Sequence, residues 1–227
     1  MSQRYEPRNG FSRAIHHLEE TLIALILGTM TVITFVNVVL RYVFNSSLIW
    51  GLETTLILFA WLVLLGMSYA VKVTAHLGVD AIINMLRPGP RKAMSLVAAG
   101  LCILYAVLLL KGAWDYWAPF AGFEQTSGRW FPTGFQDTRD RAFYETDQVP
   151  IAHWLAVWLG DRFNMGEAYD KLPRFIPYLI LPIGVTLLLI RFVQAAIGVA
   201  VGKRSALIVS HEAEDQVADV AHINKGD

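Results

Sequence analysis

The amino-acid sequence predicts an all-α membrane protein, with four transmembrane helices and further amphipathic helices at the membrane surface. Three observations support this prediction. The chain has 227 residues, of which 55% are hydrophobic and only 17% are charged, whereas soluble domains usually carry about 25% charged residues. Four apolar runs are each long enough to cross a bilayer. Shorter segments beside those runs have apolar residues at helical spacing.

The four predicted spans cover residues 21–44, 50–72, 93–117 and 174–200. The first contains an apolar run at 22–40, and at about 1.5 Å rise per residue such a helix crosses a hydrocarbon core roughly 30 Å thick. Helices are expected because a helix satisfies its own backbone hydrogen bonds in lipid. The arginine-containing N-terminal tail resembles a signal peptide, but the run is too long and no cleavage pattern follows. We therefore expect the first span to be retained.

Lysine and arginine residues predict the orientation of the spans. They are frequent in the N-terminal tail, in the loop between the second and third spans, and towards the end of the fourth span. Because basic loops remain on the cytoplasmic side, both termini are predicted to be cytoplasmic, including a polar tail at 205–227. A long insertion, residues 118–172, then lies on the outer side. Six of the seven tryptophans are predicted to lie on that side, as in an interfacial aromatic belt.

The insertion is predicted to combine a loop with one amphipathic helix. Residues 122–147 show no apolar period and predict an irregular loop. The following helix either lies on the outer leaflet or forms a docking ridge for a partner protein, and the two roles are compatible. Its helical stripe is formed by Ile151, Trp154, Leu155, Trp158, Leu159 and Phe163. Interfacial helices on the inner side are predicted by two shorter stripes: Phe11, Ile15 and Leu18, and Ile82, Ile83 and Leu86.

The middle of each predicted span lacks acids, bases and histidines. Ionisable residues inside a bilayer are the first indication of a transport or redox site, so the spans predict a scaffold rather than a reaction centre. The charged residues lie towards span ends, where long side chains reach water. Asn37 is the most polar residue within a span, and we expect it to bond a neighbouring helix rather than a solute.

No catalytic site, cofactor or metal site is predicted. All six histidines lie outside the spans, which argues against a membrane haem. The adjacent His16 and His17 point to different helix faces, and HExxH and phosphate-binding motifs are absent. The single cysteine, Cys102, cannot form an intrachain disulfide and is expected to pack as a small apolar residue. A net charge of zero provides no basic field for nucleic acid.

Three local patterns follow one another in a distinctive order. The sequence RYVFN, from Arg41 to Asn45, precedes Trp50 and Glu53. The sequence AWLVLLGMSYA at 60–70 precedes Lys72 and HLGVD at 76–80, and PIGVTLLLIR at 182–191 closes the last span. In this order and spacing they resemble the small membrane subunit of tripartite ATP-independent periplasmic (TRAP) transporters, the DctQ-type family. The resemblance covers mainly residues 21–92 and 174–204.

The resemblance implies a fixed four-helix scaffold in the bacterial inner membrane. Its partners would be membrane lipids, a large transmembrane subunit that carries the substrate and sodium sites, and a periplasmic binding protein that delivers the solute. Typical solutes of the family are C4-dicarboxylates, sialic acid and other organic acids. The alternative hypothesis is an independent small transporter, or an adaptor of another membrane complex. The structural or interface candidates are Arg41, Asn45, Trp50, Glu53, His76, Asp80, Trp154, Trp158 and Arg191.

The sequence departs from the family pattern at three places. Leu52 stands where family members often have the first of two acids, so that only Glu53 remains. The residues before His76 are Lys-Val-Thr-Ala, where the family is richer in Arg and Gly. Many small subunits also have a short loop in place of the insertion. The family therefore gives no guide to the insertion, and the substrate class stays open.

The polar residues of the patterns each have a structural interpretation. Arg41 is expected to be a boundary charge that bonds helix-end carbonyls or lipid headgroups, rather than a substrate ligand. Glu53 could cap the start of the second span, or pair with Arg41 across the hairpin. His76 and Asp80 are four residues apart and would share a helix face. We expect them to tie a surface helix to the second span rather than to relay protons.

Overall fold

The structure is a computed structural model, and it describes residues 10–73, 88–131, 134–135 and 141–201. Four segments are long and apolar enough to cross a membrane, and they confirm the predicted fold class. The elements in chain order are α1 (Gly10–Val43), α2 (Gly51–Lys72), α3 (Pro88–Trp117), a 3-10 turn (Ala118–Ala121), β1 (Glu145–Pro150), α4 (His153–Phe163), β2 (Lys171–Pro173), α5 (Phe175–Tyr178) and α6 (Ile180–Ala200).

The four long helices form a row. Among the described residues, the extensive helix interfaces join α1 to α2, α2 to α6, and α6 to α3. The helix α6 therefore lies in the interior of the row, and α1 and α3 form its edges. The last span is the most buried of the four, with 33% of its most apolar part buried, compared with 11% in α1, 11% in α2 and 17% in α3. Most apolar side chains of the edge helices therefore face away from the chain itself.

Small residues allow the helices of the row to approach closely. Ala99 of α3 and Ala195 of α6 are fully buried against each other. A Cβ atom added at Gly184 of α6 would lie 2.7 Å from the Cβ atom of Leu64 in α2, which is a clash. Membrane helices associate largely through such close packing, because lipid is as apolar as the helix surfaces.

The helix α2 contacts both the last span and the insertion. The indole Nε1 of Trp61 donates to the carbonyl oxygen of Pro177 in α5 at 3.0 Å, and Leu64 packs on Gly184 of α6. The first turn of α2 contacts strand β1 through Glu53. Part of the insertion therefore packs beside the start of α2.

The insertion contains more regular structure than the sequence predicted. Strands β1 and β2 pair antiparallel, with Glu145 opposite Pro173 and an irregular register between the strands. The prediction of an irregular loop over 122–147 was therefore wrong at its end. The strand was missed because its partner lies beyond α4 and leaves no local pattern. At Gly160 of α4, a Cβ atom would lie 2.3 Å from the carbonyl oxygen of Glu167, so glycine permits the chain to fold back after α4.

The predicted surface helix before the first span is not a separate element. Residues 10–20 form the first part of α1, which continues without interruption to Val43. The first span was predicted to begin at residue 21, and polar side chains on one face of the earlier turns hid the continuity of the helix. The second predicted inner stripe, formed by Ile82, Ile83 and Leu86, lies outside the described residues.

Candidate functional site

Three helices meet in a cluster of charges towards the end of the row where α1 begins and α2 ends. Glu19 of α1 accepts from the Nζ of Lys72 in α2 and from the Nη2 of Arg191 in α6, both at 2.5 Å. The side chains of Lys72, Arg191 and Glu19 are only 3%, 13% and 16% exposed. We call these three residues the Glu19 ion cluster. One carboxylate thus bridges two cations that belong to different helices.

The guanidinium of Arg191 has few other acceptors. Its Nη1 donates to the Oε1 of Gln194 at 3.0 Å, and its Nε is buried without a partner among the described residues. Glu19 is therefore the counter-charge that the described residues supply to Arg191. A buried cation without such a partner is strongly unfavourable, so Glu19 fixes the relative positions of α1 and α6.

A second group of polar side chains lies beside the Glu19 ion cluster. The hydroxyl of Tyr69 donates to the Oε1 of Glu20 at 2.8 Å. The imidazole of His16 stacks on the ring of Tyr69, with centroids 5.7 Å apart, and its Nε2 is 3.5 Å from Glu20. Glu20 is 45% exposed, so these contacts are closer to solvent. They add a second connection between α1 and α2.

At the opposite end of the row, Glu53 attaches the insertion to α2. Its Oε1 accepts from the backbone N–H of Asp147 at 2.9 Å, and its Oε2 accepts from that of Gln148 at 2.6 Å. Glu53 lies in the first turn of α2, but its hydrogen bonds are made to β1. The pairing with Arg41 that the sequence left open is not formed in the described part of the chain: Arg41 is exposed, and the carboxylate of Glu53 bonds β1.

The two strands of the insertion are joined to the start of the last span by charged side chains. The carboxylate of Glu145 accepts from the backbone N–H groups of Asp170 and Lys171. Arg174 donates to the carbonyl oxygen of Glu145 at 2.7 Å and pairs with Asp147 at 2.9 Å. The hydroxyl of the buried Tyr169 donates to the carbonyl oxygen of Ala142. These bonds make the strands a fixed extension of the membrane helices.

A third attachment of the insertion is made at the end of α3. Asp115 pairs with Lys111 at 2.8 Å and accepts from the backbone N–H of Thr126 at 2.6 Å. The hydroxyl of Thr126, which is buried, lies within hydrogen-bonding distance of both side chains. The indole of Trp117 also donates to the carbonyl oxygen of Phe175 at 2.9 Å. The loop after α3 is thereby held against the end of α3, which is itself joined to α5.

The hairpin between α1 and α2 is stabilised by its own polar residues. Asn45 follows the end of α1 and has φ 51°. Beside it, the carbonyl oxygen of Leu40 accepts from the backbone N–H of Ser46. Asparagine tolerates this left-handed conformation better than most residues. The side chain of Asn37 accepts from the backbone N–H of Leu48 at 3.0 Å, so its partner is the connection rather than a neighbouring helix. Trp50 is the half-buried residue that precedes α2.

The two tryptophans of α4 lie on its exposed side. Trp154 is 73% exposed and Trp158 is 52% exposed, whereas Leu159 of the same predicted stripe is buried. The structure therefore divides the stripe between two faces of the helix. His76 and Asp80, the remaining candidates, lie outside the described residues.

The middle of the row contains no ionisable cluster that could carry out chemistry. Residues 21–40, 54–71, 93–110 and 175–190 contain no acid, lysine, arginine or histidine. In the described part of the chain, no group of three or more histidine, cysteine or acidic residues could hold a metal ion. The polar contacts lie towards the two ends of the row, and there they connect helices or hold the insertion.

Several of the residues that make these contacts were not among the sequence candidates. Glu19 lies beside the predicted stripe of Phe11, Ile15 and Leu18 and was given no role, and the partners of Glu53 and Arg191 were unknown. One signal was available for Glu19: a carboxylate near the start of α1, at the end of the row where Lys72 and Arg191 were both expected. No local pattern indicated that Arg174 and Glu145 would join two strands.

Comparison with known proteins places these features in a family. The sequence model of one protein family, the DctQ component of tripartite ATP-independent periplasmic transporters, matches residues 30–133. The C4-dicarboxylate TRAP transporter small permease protein DctQ of Vibrio cholerae is 44% identical over 200 residues, which are 88% of this chain and 78% of that protein. The protein of the same name from Pseudomonas aeruginosa is 25% identical over 241 residues, which cover 94% of this chain and 97% of that protein. The protein of the same name from Rhodobacter capsulatus is 24% identical over 218 residues, which cover 83% of this chain and 78% of that protein.

The fold and its contacts define a small multi-pass membrane protein in which polar residues hold helices together. The chain belongs to the DctQ family, the small permease component of TRAP transporters. This confirms the resemblance carried by the three sequence patterns. The family is a component of a transporter and not a family of enzymes.

Proposed function

We propose that this chain is the fixed scaffold subunit of a TRAP transporter that takes up C4-dicarboxylates or related organic acids. The observation that carries the proposal is the distribution of its polar groups. They connect helices at the two ends of the row, and the middle of the spans contains no acidic, basic or histidine side chain. A carrier that works by alternating access needs polar groups near the midplane. We infer that a large transmembrane subunit supplies them.

The proposed surroundings follow from the tripartite character of the family. The chain lies in the bacterial inner membrane, with both termini in the cytoplasm and the insertion in the periplasm. Basic residues towards the end of the row that holds the Glu19 ion cluster support this orientation. The insertion, held to α2 by Glu53 and to α3 by Asp115, offers a fixed periplasmic surface that can help to receive the solute-binding protein. Two relatives are named as C4-dicarboxylate transporter subunits, which supports C4-dicarboxylates as the first substrates to test.

A reconstitution experiment tests the proposal. Proteoliposomes containing this chain alone, the large subunit alone, or both would be supplied with the binding protein, a sodium gradient and radiolabelled succinate. We expect uptake only when both membrane subunits and the binding protein are present. Uptake by this chain alone would overturn the scaffold role and favour the independent transporter. Uptake of another organic acid but not of succinate would leave the scaffold role intact and replace the substrate class.

A further inference from the structure

Helix α4 presents two different faces. One face packs into the chain, where Ala156 and Leu159 contact Tyr169, Phe175 and Ile176. The other face carries Trp154 and Trp158, one helical turn apart and mostly exposed. We call these two residues the α4 tryptophan ridge.

The packing of α4 determines its level along the membrane normal. Phe175 begins the segment Phe175–Ala200, which is the last segment able to cross a membrane, and α4 lies against its first turn. Two further indoles reach the same level from other helices. Trp117 donates to the carbonyl oxygen of Phe175, and Trp61 donates to that of Pro177. Tryptophans gather at the headgroup level of a bilayer, because their rings are apolar and their N–H groups are polar.

We propose that the α4 tryptophan ridge inserts into the headgroup region of the lipid leaflet on the insertion side. The occupant of this face is phospholipid and not a protein partner. The residues that follow the ridge, Asp161 and Arg162, are exposed and of opposite charge. These charges suit the zwitterionic headgroup zone, and they limit the depth to which the α4 tryptophan ridge enters the leaflet.

The size of the ridge also favours lipid. A tryptophan side chain buries roughly 150–250 Å² when it is fully covered. With 73% and 52% exposed, the two indoles together offer on the order of 300 Å² or less. A stable protein interface covers about 800 Å² on each partner, and α4 has only 11 residues. The ridge anchors the insertion to the membrane surface, so that its strands keep a fixed height above the bilayer.

Site-specific fluorescence tests this placement in the transporter reconstituted in lipid nanodiscs. Trp158→Cys, in a Cys102→Ala background, would be labelled with an environment-sensitive fluorophore. Ser127→Cys, at an exposed position in the loop after α3, is the matched control. We expect lipids spin-labelled near the headgroup to quench the label at 158 about twofold more strongly than lipids labelled deep in the acyl chain. We also expect the label at 158 to be less accessible to aqueous iodide than the control.

Two results would overturn the proposal. Equal iodide quenching at positions 158 and 127 would mean that the ridge faces water. Protection from both iodide and spin-labelled lipid would mean that a protein covers it. A second measurement avoids cysteine substitution, by comparing the quenching of native tryptophan emission by brominated lipids in the wild type and in the Trp154→Phe, Trp158→Phe double variant. The quenchable fraction should fall in the double variant, and an unchanged fraction would also contradict the placement.

Discussion

Removing the carboxylate of Glu19 should destabilise the row of helices more than any other single loss of charge at the end of the row that holds the Glu19 ion cluster. In Glu19→Gln, Lys72 and Arg191 keep their positive charges and lose their common counter-charge. Their side chains are 3% and 13% exposed in the isolated chain. Lipid or a partner subunit can only reduce this access to water further.

The expected magnitude follows from this burial. Breaking a buried ion pair by removing one partner costs about 3–5 kcal/mol, whereas an exposed pair contributes about 0.2–1 kcal/mol. Because Glu19 serves two buried cations, we expect a loss of about 3–5 kcal/mol in the free energy of unfolding. A loss of this size is a large part of the stability of a typical domain.

The neighbouring carboxylate provides a matched control. Glu20 is 45% exposed and accepts from the hydroxyl of Tyr69, so Glu20→Gln should cost much less than Glu19→Gln. Both variants would be unfolded with increasing SDS in mixed micelles and followed by far-UV circular dichroism. Equal losses for the two variants would refute the claim that burial of the two cations sets the cost.

A triple variant separates charge from packing. In Glu19→Leu, Lys72→Met, Arg191→Met, no charge remains in the Glu19 ion cluster and the volume is nearly retained. Replacing a complete buried ion cluster by apolar residues is often neutral, or stabilising by about 1–4 kcal/mol. The triple variant should therefore be more stable than Glu19→Gln alone. If it is as unstable as the single variant, the cluster stabilises the row through its shape and not through charge balance.

Three further predictions concern other contacts. Gly184→Ala should lose about 1–3 kcal/mol in the same unfolding assay, because its methyl group overlaps the Cβ atom of Leu64; Leu64→Gly, which removes that Cβ atom, should cost less in the Gly184→Ala background than alone, and an additive double variant would contradict the contact. Glu53→Ala should raise amide hydrogen exchange in β1 by about tenfold or more, since two charge-assisted bonds of about 1.5–3 kcal/mol each are removed; unchanged protection would mean that β1 is held by other contacts. Replacing Trp154 and Trp158 with serine should weaken membrane docking of the insertion or assembly of the transporter, because the rings that anchor this face in the headgroup region are lost; normal assembly with normal uptake would show that this face is incidental.

Length and periodicity were sufficient to predict the four membrane helices, because crossing a bilayer requires a long uninterrupted apolar run. They were not sufficient to predict the partners of the charged residues. Glu19 and Arg191 are 172 positions apart, and Glu53 and Asp147 are 94 positions apart. Which helix ends meet depends on the order of the row, and the apolar composition of the spans is similar on every face.

The stripe of α4 illustrates a second limit of periodicity. Successive residues in an α-helix are about 100° apart around its axis. Trp154 and Leu155 therefore belong to one predicted stripe, but they point in clearly different directions. Helical spacing identified the helix correctly, and it did not indicate which edge of the wide stripe would face the chain. That depends on Tyr169 and Ile176, which pack against the leucine edge and are contributed by later segments.

A row of four helices has a physical consequence for a protein of this size. A closed bundle buries one face of every helix in a common core, whereas a row leaves two broad faces uncovered. The only extensive interfaces among the described residues join neighbours in the row, and few residues of α1 and α2 are buried. The relative positions of the helices must then depend on close contacts such as Gly184 with Leu64 and on charges at the ends. The insertion contributes to the same task, because β1 packs beside the first turn of α2. Such a layer, held at its ends and apolar on both faces, is suited to packing along a larger membrane protein while keeping its own shape.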